Sequence, residues 1–184
     1  MSSCMVLKKF HMSPDRHSGV SMGKGLLLVF TGHSADSGFS AVGQVLRALG
    51  QGLSICVVQF HPGFRKYREL LSLKQSFDSL EIYGMNGDLG CAAANDTGDR
   101  PVELWRNTVY RMNSGEFDLF VLFELSHLIE QGMVGEKEVT RRLLERPDTL
   151  HVIVAGGNAI ESLVQEADLV TEVNELNHDH QPTA

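Results

Sequence analysis

From Thr31 to Gly38 the chain reads Thr31-Gly32-His33-Ser34-Ala35-Asp36-Ser37-Gly38, small and hydroxyl-bearing residues set between an apolar run and a helix-like segment. Strand, small-residue loop and helix in that order let backbone N–H groups and a helix N-terminus wrap a phosphate chain. A working loop of this kind has the spacing G-x-x-x-x-G-K-[ST], in which Lys meets the β- and γ-phosphates and the hydroxyl meets Mg²⁺. Here no Lys stands between Gly32 and Gly43, and Asp36 opposes an anion with like charge. Two readings of Thr31, Gly32, His33, Ser34, Ser37 and Gly38 stay open. The segment is a relic turn, or it holds an anion through its N–H groups and the Ser34 and Ser37 hydroxyls.

A second group of residues follows other apolar runs. Glu124 comes directly after Phe117–Phe123, where a carboxylate is either an edge residue in water or a site group that positions water or contacts a metal. His33, His61 and His127 each follow a different run. Imidazoles there could ligate a metal ion or the cobalt of a corrinoid, with Glu124 adding a carboxylate; the plain alternative is solvated loop histidines, since no C-x-x-C or H-x-x-x-H spacing accompanies them. Gln59, Gly156 and Asn158 complete the candidate ligand edge. His178 and His180 lie in a polar tail suited to a weak surface metal contact at most.

The elements that must position these residues alternate between strand and helix. Continuous apolar runs at Leu26–Thr31, Leu53–Phe60, Phe117–Phe123, Leu150–Val154 and Leu169–Val173 predict buried parallel strands, with a shorter strand at Leu80–Tyr83. Helical spacing predicts helices over Phe39–Leu49, Phe64–Phe77, Val102–Met112, Glu136–Glu145 and Ala159–Glu166. Gly84–Arg100 and Glu124–Glu130 read as loops. The sum is a doubly wound α/β domain with a mostly parallel sheet, whose ligand edge gathers Gly32–Gly38, His61–Arg65, Glu124–Glu130 and Ala155–Asn158 at the carboxyl ends of the strands. Residues 25–178 form that single domain, with a flexible arm over 1–24 and a flexible tail over 179–184.

Composition narrows the class of function. With 184 residues, 42% hydrophobic, the chain can bury one substantial core. A net charge of −7 and no clustered Lys or Arg exclude a nucleic-acid footprint. No apolar run reaches bilayer length, and Met1–Lys24 lacks the continuous apolar stretch of a secretory signal. Cys4, Cys56 and Cys91 form no disulfide framework or zinc motif, and Cys56 sits in an apolar run as a buried thiol. A reducing cytoplasmic location is the expectation.

Several segments in order carry a family resemblance: Leu28-Val-Phe-Thr-Gly32, Leu46-Arg-Ala-Leu-Gly50-Gln-Gly52, Val57-Val-Gln-Phe60, Phe117-Asp118-Leu-Phe-Val-Leu-Phe-Glu124-Leu125 and Glu166-Ala-Asp168-Leu-Val-Thr-Glu172. From Gly25 to His178 the chain resembles the P-loop type of ATP:corrinoid adenosyltransferase, which acts on cob(I)alamin or cob(I)yrinic acid a,c-diamide. The resemblance implies a P-loop NTPase-like three-layer α/β/α fold, transfer of the 5′-deoxyadenosyl group of ATP to corrinoid cobalt, Mg²⁺ as cofactor and a homodimer. Departures fall where that chemistry is concentrated. The family loop T-G-N-G-K-G-K-T-T stands here as Thr31-Gly32-His33-Ser34-Ala35-Asp36-Ser37-Gly38-Phe39, its D-E-L as Phe123-Glu124-Leu125 and its T-G-R-G as Ala155-Gly156-Gly157-Asn158. Phe39 and Phe123 at formerly polar positions predict a nucleotide pocket partly filled by apolar bulk. Two functions are consistent with this pattern: a weak or inactive adenosyltransferase, or a non-catalytic relative that binds a corrinoid, another small ligand or a protein partner on the same scaffold.

Overall fold

The computed structural model describes residues 24–32, 37–61, 68–84 and 100–174. Its strands are β1 (Leu27–Thr31), β2 (Ile55–Gln59), β3 (Leu80–Gly84), β4 (Leu119–Phe123), β5 (His151–Ala155) and β6 (Leu169–Glu172). The helices are α1 (Ser37–Leu49), α2 (Arg68–Lys74), α3 (Arg100–Met112), α4 (Leu125–Glu130), α5 (Glu136–Leu144) and α6 (Glu161–Glu166). The strands form one sheet in the order β3-β2-β4-β5-β1-β6, and every pairing is parallel. The predicted arm, tail and Gly84–Arg100 loop fall mostly or wholly outside the described residues, as do His33 and Ser34.

Side-chain alternation along the strands builds two cores, one on each face of the sheet. Leu28, Phe30, Ile55, Val57, Val121 and Ile153 pack against Ala41, Val45, Ala48 and Leu49 of α1 and Leu70 of α2. Leu27, Val29, Cys56, Val58, Phe120, Leu122 and Val152 pack on the other face against Trp105, Leu125, Leu128, Val139, Leu143 and Leu163 of α3 to α6. Helices on both faces of a parallel sheet make the three-layer α/β/α architecture of P-loop-type domains. Because the central strands are covered twice, their sequences read as unbroken apolar runs rather than alternating ones. No helix among the described residues is long and apolar enough to cross a membrane.

The amino edge of the sheet is closed by side chains that bond to backbone. Asp118 Oδ2 accepts the Ser54 N–H at 2.8 Å, Asp168 Oδ2 accepts the Leu27 N–H at 2.7 Å, and His151 Nδ1 accepts the Leu26 N–H at 3.1 Å. Arg146, which is buried, donates to the carbonyls of Leu143, Gly25 and Leu150 at 2.8, 2.8 and 3.1 Å. Burial lowers the Arg146 pKa, while Asp168 and Asp148 act in the opposite sense. Each of these bonds satisfies a main-chain group at the end of a strand or, for Leu143, in the last turn of α5.

One element departs from the sequence reading. Glu124–Glu130 was expected as a loop, and the structure folds Leu125–Glu130 into α4. The remaining boundaries move by a few residues; α2 ends at Lys74, short of the predicted Phe77, and residues 64–67 lie outside the described residues.

Candidate functional site

The carboxyl edge of the sheet is set by strand register. Gln59 of β2 pairs with Phe123 of β4, Phe123 with Ala155 of β5, and Ala155 with Phe30 of β1, so the four strand ends come out level. Pairing continues one residue beyond them: Phe60 N–H donates to Phe123 O at 3.0 Å, Glu124 N–H to Ala155 O at 2.8 Å, and Gly156 N–H to Phe30 O at 3.1 Å. These bonds fix the first residue of each loop against its neighbour. Thr31 ends β1 and Gly32 follows it, both buried. Gly32 has φ 145°, and a Cβ there would lie 2.1 Å from the carbonyl oxygen of Val173, so glycine is required by the backbone itself. Ser37 and Gly38 open α1, with Gly38 buried.

Glu124 is the structural anomaly of this edge. It is the one non-glycine residue with positive φ among the described residues, at φ 55° and ψ 35°, immediately before α4. L-residues occupy this left-handed region at a cost of roughly 1–2 kcal/mol, and such outliers gather at functional sites. The turn directs the carboxylate across to the β5 loop. Oε2 accepts a long bond from the Gly157 N–H at 3.4 Å, and a Cβ on Gly156 would come within 3.1 Å of the same oxygen. The Gly156-Gly157 pair is therefore the floor on which Glu124 rests, a role for Gly157 that the sequence reading did not assign. Asn158 is tied elsewhere, its Nδ2 donating to Glu130 Oε1 at 2.6 Å.

Gln59 ends β2 fully covered, and its Oε1 has no hydrogen-bond partner. His61 and His127 do meet: their ring centres stand 4.7 Å apart with planes inclined by 71°. His61 is exposed beyond the buried Phe60, and His127 is half-buried on α4. One of the two sequence readings of these histidines has three of them converge with Glu124; among the described residues no three His, Cys, Asp or Glu side chains gather in metal-holding geometry, and His33 lies outside them. Phe123 is wholly buried in the core, and Phe39 is 45% exposed on α1.

Beside Gly156 and the start of α4 the described residues leave a void of about 10 Å³, lined by Val29, Leu125, Ser126, Gly156 and Leu163 among others. It holds about one water, against about 300 Å³ or more for a ligand pocket. A Mg²⁺–triphosphate asks for carboxylate oxygens on the metal and cations on the phosphates. The one carboxylate at this position faces a backbone N–H, and the loop after Gly32 carries no Lys.

Comparison with known proteins gives the lineage. The sequence profile of the family described as ATP:corrinoid adenosyltransferase BtuR/CobO/CobP matches residues 23–183. A corrinoid adenosyltransferase of Pseudomonas aeruginosa is 29% identical over 161 residues, covering 84% of this chain and 77% of that protein. Proteins of the same name from Sinorhizobium, 28% identical, and Escherichia coli K12, 26% identical, each align with 84% of this chain and with 74% and 79% of their own length. With nearly its whole length matched and its fold of the same three-layer kind, the chain belongs to the ATP:corrinoid adenosyltransferase family.

Proposed function

We propose that this chain is a corrinoid adenosyltransferase-family protein in which adenosyl transfer from ATP is at or near background and the carboxyl edge serves to bind a corrinoid or another small ligand. The observation that carries this reading is the pairing of a lysine-free loop with a Glu124 carboxylate turned onto the Gly157 N–H. Each charge-assisted bond to phosphate contributes about 1.5–3 kcal/mol, so loss of two lysines lowers affinity for triphosphate by roughly 10²–10⁴-fold. Asp36 adds repulsion. A homodimer and a cytoplasmic location are part of the proposal, supported by the family resemblance and by the cysteine usage.

Titration calorimetry with MgATP and with a corrinoid, together with an assay of adenosyl transfer to reduced corrinoid, tests the reading. Corrinoid heat without MgATP heat is the expected pattern. Micromolar MgATP binding, or turnover comparable to a relative with an intact loop, would refute it. Light scattering on the same sample reports the dimer, and a mass of one chain across a concentration series would remove that part.

A further inference from the structure

The His61–His127 pair has a geometry of its own that the family's reaction does not account for. We propose that these two imidazoles form a chelating site for a late first-row divalent metal ion, open to water or to an incoming ligand at its other positions.

Three observations support it. A metal–nitrogen bond of about 2.0–2.1 Å puts each ring centre about 3.2 Å from the ion, so two imidazoles in adjacent positions of a tetrahedral or square arrangement have centres roughly 4.5–5.2 Å apart. The observed 4.7 Å lies in that interval, and the rings, inclined by 71°, meet edge to face and are not stacked flat. Second, the pair is held from below. His61 follows Phe60, whose N–H donates to Phe123 O at 3.0 Å and whose ring meets Trp105 at 6.2 Å. His127 stands on α4, fixed by the burial of Leu125, Ser126 and Leu128, with its own N–H donating to Glu124 O at 3.1 Å. A ligand pair whose backbone is already ordered loses little freedom on binding. Third, the chain is acidic overall, at −7, which favours the approach of a cation.

The chemical class follows from the donors. Imidazole nitrogen selects Cu²⁺, Ni²⁺, Zn²⁺ and Co²⁺ over Mg²⁺ and Ca²⁺, with Cu²⁺ held tightest. Among the described residues no third His, Cys, Asp or Glu joins the pair in metal-holding geometry, so those residues leave the remaining positions to solvent or to another donor. The site is independent of the adenosyl-transfer reading, and either can fail without the other.

The test uses the full chain, stripped with chelator and titrated calorimetrically with NiCl₂ and with ZnCl₂. One ion per chain is expected, with affinity at least about tenfold weaker in His61→Ala or His127→Ala and unchanged melting temperature without metal. Cu²⁺ electron paramagnetic resonance should report two imidazole nitrogens in the native chain and fewer in either variant. The polar tail is controlled by His178→Ala/His180→Ala, which should leave this binding event in place. Retention of native affinity by His61→Ala/His127→Ala, or loss that follows the tail substitution instead, would overturn the assignment.

Discussion

Replacing Glu124 with glycine separates stored strain from useful contact. At φ 55° and ψ 35° an L-residue carries about 1–2 kcal/mol of steric cost that glycine does not. Against that gain stands the backbone entropy of glycine, about 0.5–1 kcal/mol. The carboxylate's bond to Gly157 N–H, at 3.4 Å, is too long to add more than a few tenths of a kcal/mol. No side-chain cap bond to α4 is lost, since Glu124 makes none. The balance is a variant between neutral and about 1 kcal/mol more stable, a rise of up to about 2–4 °C in melting temperature for a domain of this size. Glu124→Val, β-branched in the same turn, should instead lose about 2 kcal/mol or more. Urea unfolding of native, Gly and Val chains measures both. If Glu124→Gly unfolds more than about 1 kcal/mol more easily, the carboxylate is a structural clamp and the strain argument is wrong. A stabilised Gly variant that also loses corrinoid binding would identify the strain as the cost of a working site.

Two further outcomes are expected. Gly32→Ala places a methyl 2.1 Å from the Val173 carbonyl oxygen at φ 145° and should destabilise by more than about 2 kcal/mol, seen as a lower urea midpoint; a neutral result would mean that β6 is free to move away. His151 is held neutral in the fold, chiefly because burial lowers its pKa below the ordinary 6.5, aided by Arg146 and opposed by Asp118 and Asp168. The unfolded chain therefore takes up a proton that the fold refuses, and stability falls as pH drops below about 6.5 toward the folded pKa, with no contribution above. In His151→Gln that part of the acid-side slope should vanish between pH 8 and pH 5, and an unchanged slope would assign it to other groups.

The strands were legible because double coverage makes each central strand a short unbroken apolar run, bounded by Gly, Asp or Glu. Helix α4 was not, because its six residues follow β4 after the single residue Glu124 and without a capping side chain. Its burial of Leu125 and Leu128 is a tertiary event that propensity does not encode. At the candidate site, sequence alone placed Gln59, His61, Glu124, His127, Gly156 and Asn158 near strand ends. It could not say that His61 meets His127, because that contact depends on β2 lying beside β4, a neighbour relation that no period expresses. The left-handed turn at Glu124 left one faint trace, the glycine at Gly156, whose missing side chain makes room for it.

The fastenings made by Arg146, Asp118, Asp168 and His151 all lie at the amino end of the strands, remote from the loops that would touch a ligand. Inheritance can therefore act on the two ends separately. A lineage can exchange lysine for serine, or aspartate for phenylalanine, at one end while the knots at the other hold the sheet together. Under this division of labour a chemistry can be erased and the emptied edge put to new use, with the scaffold never passing through an unfolded ancestor.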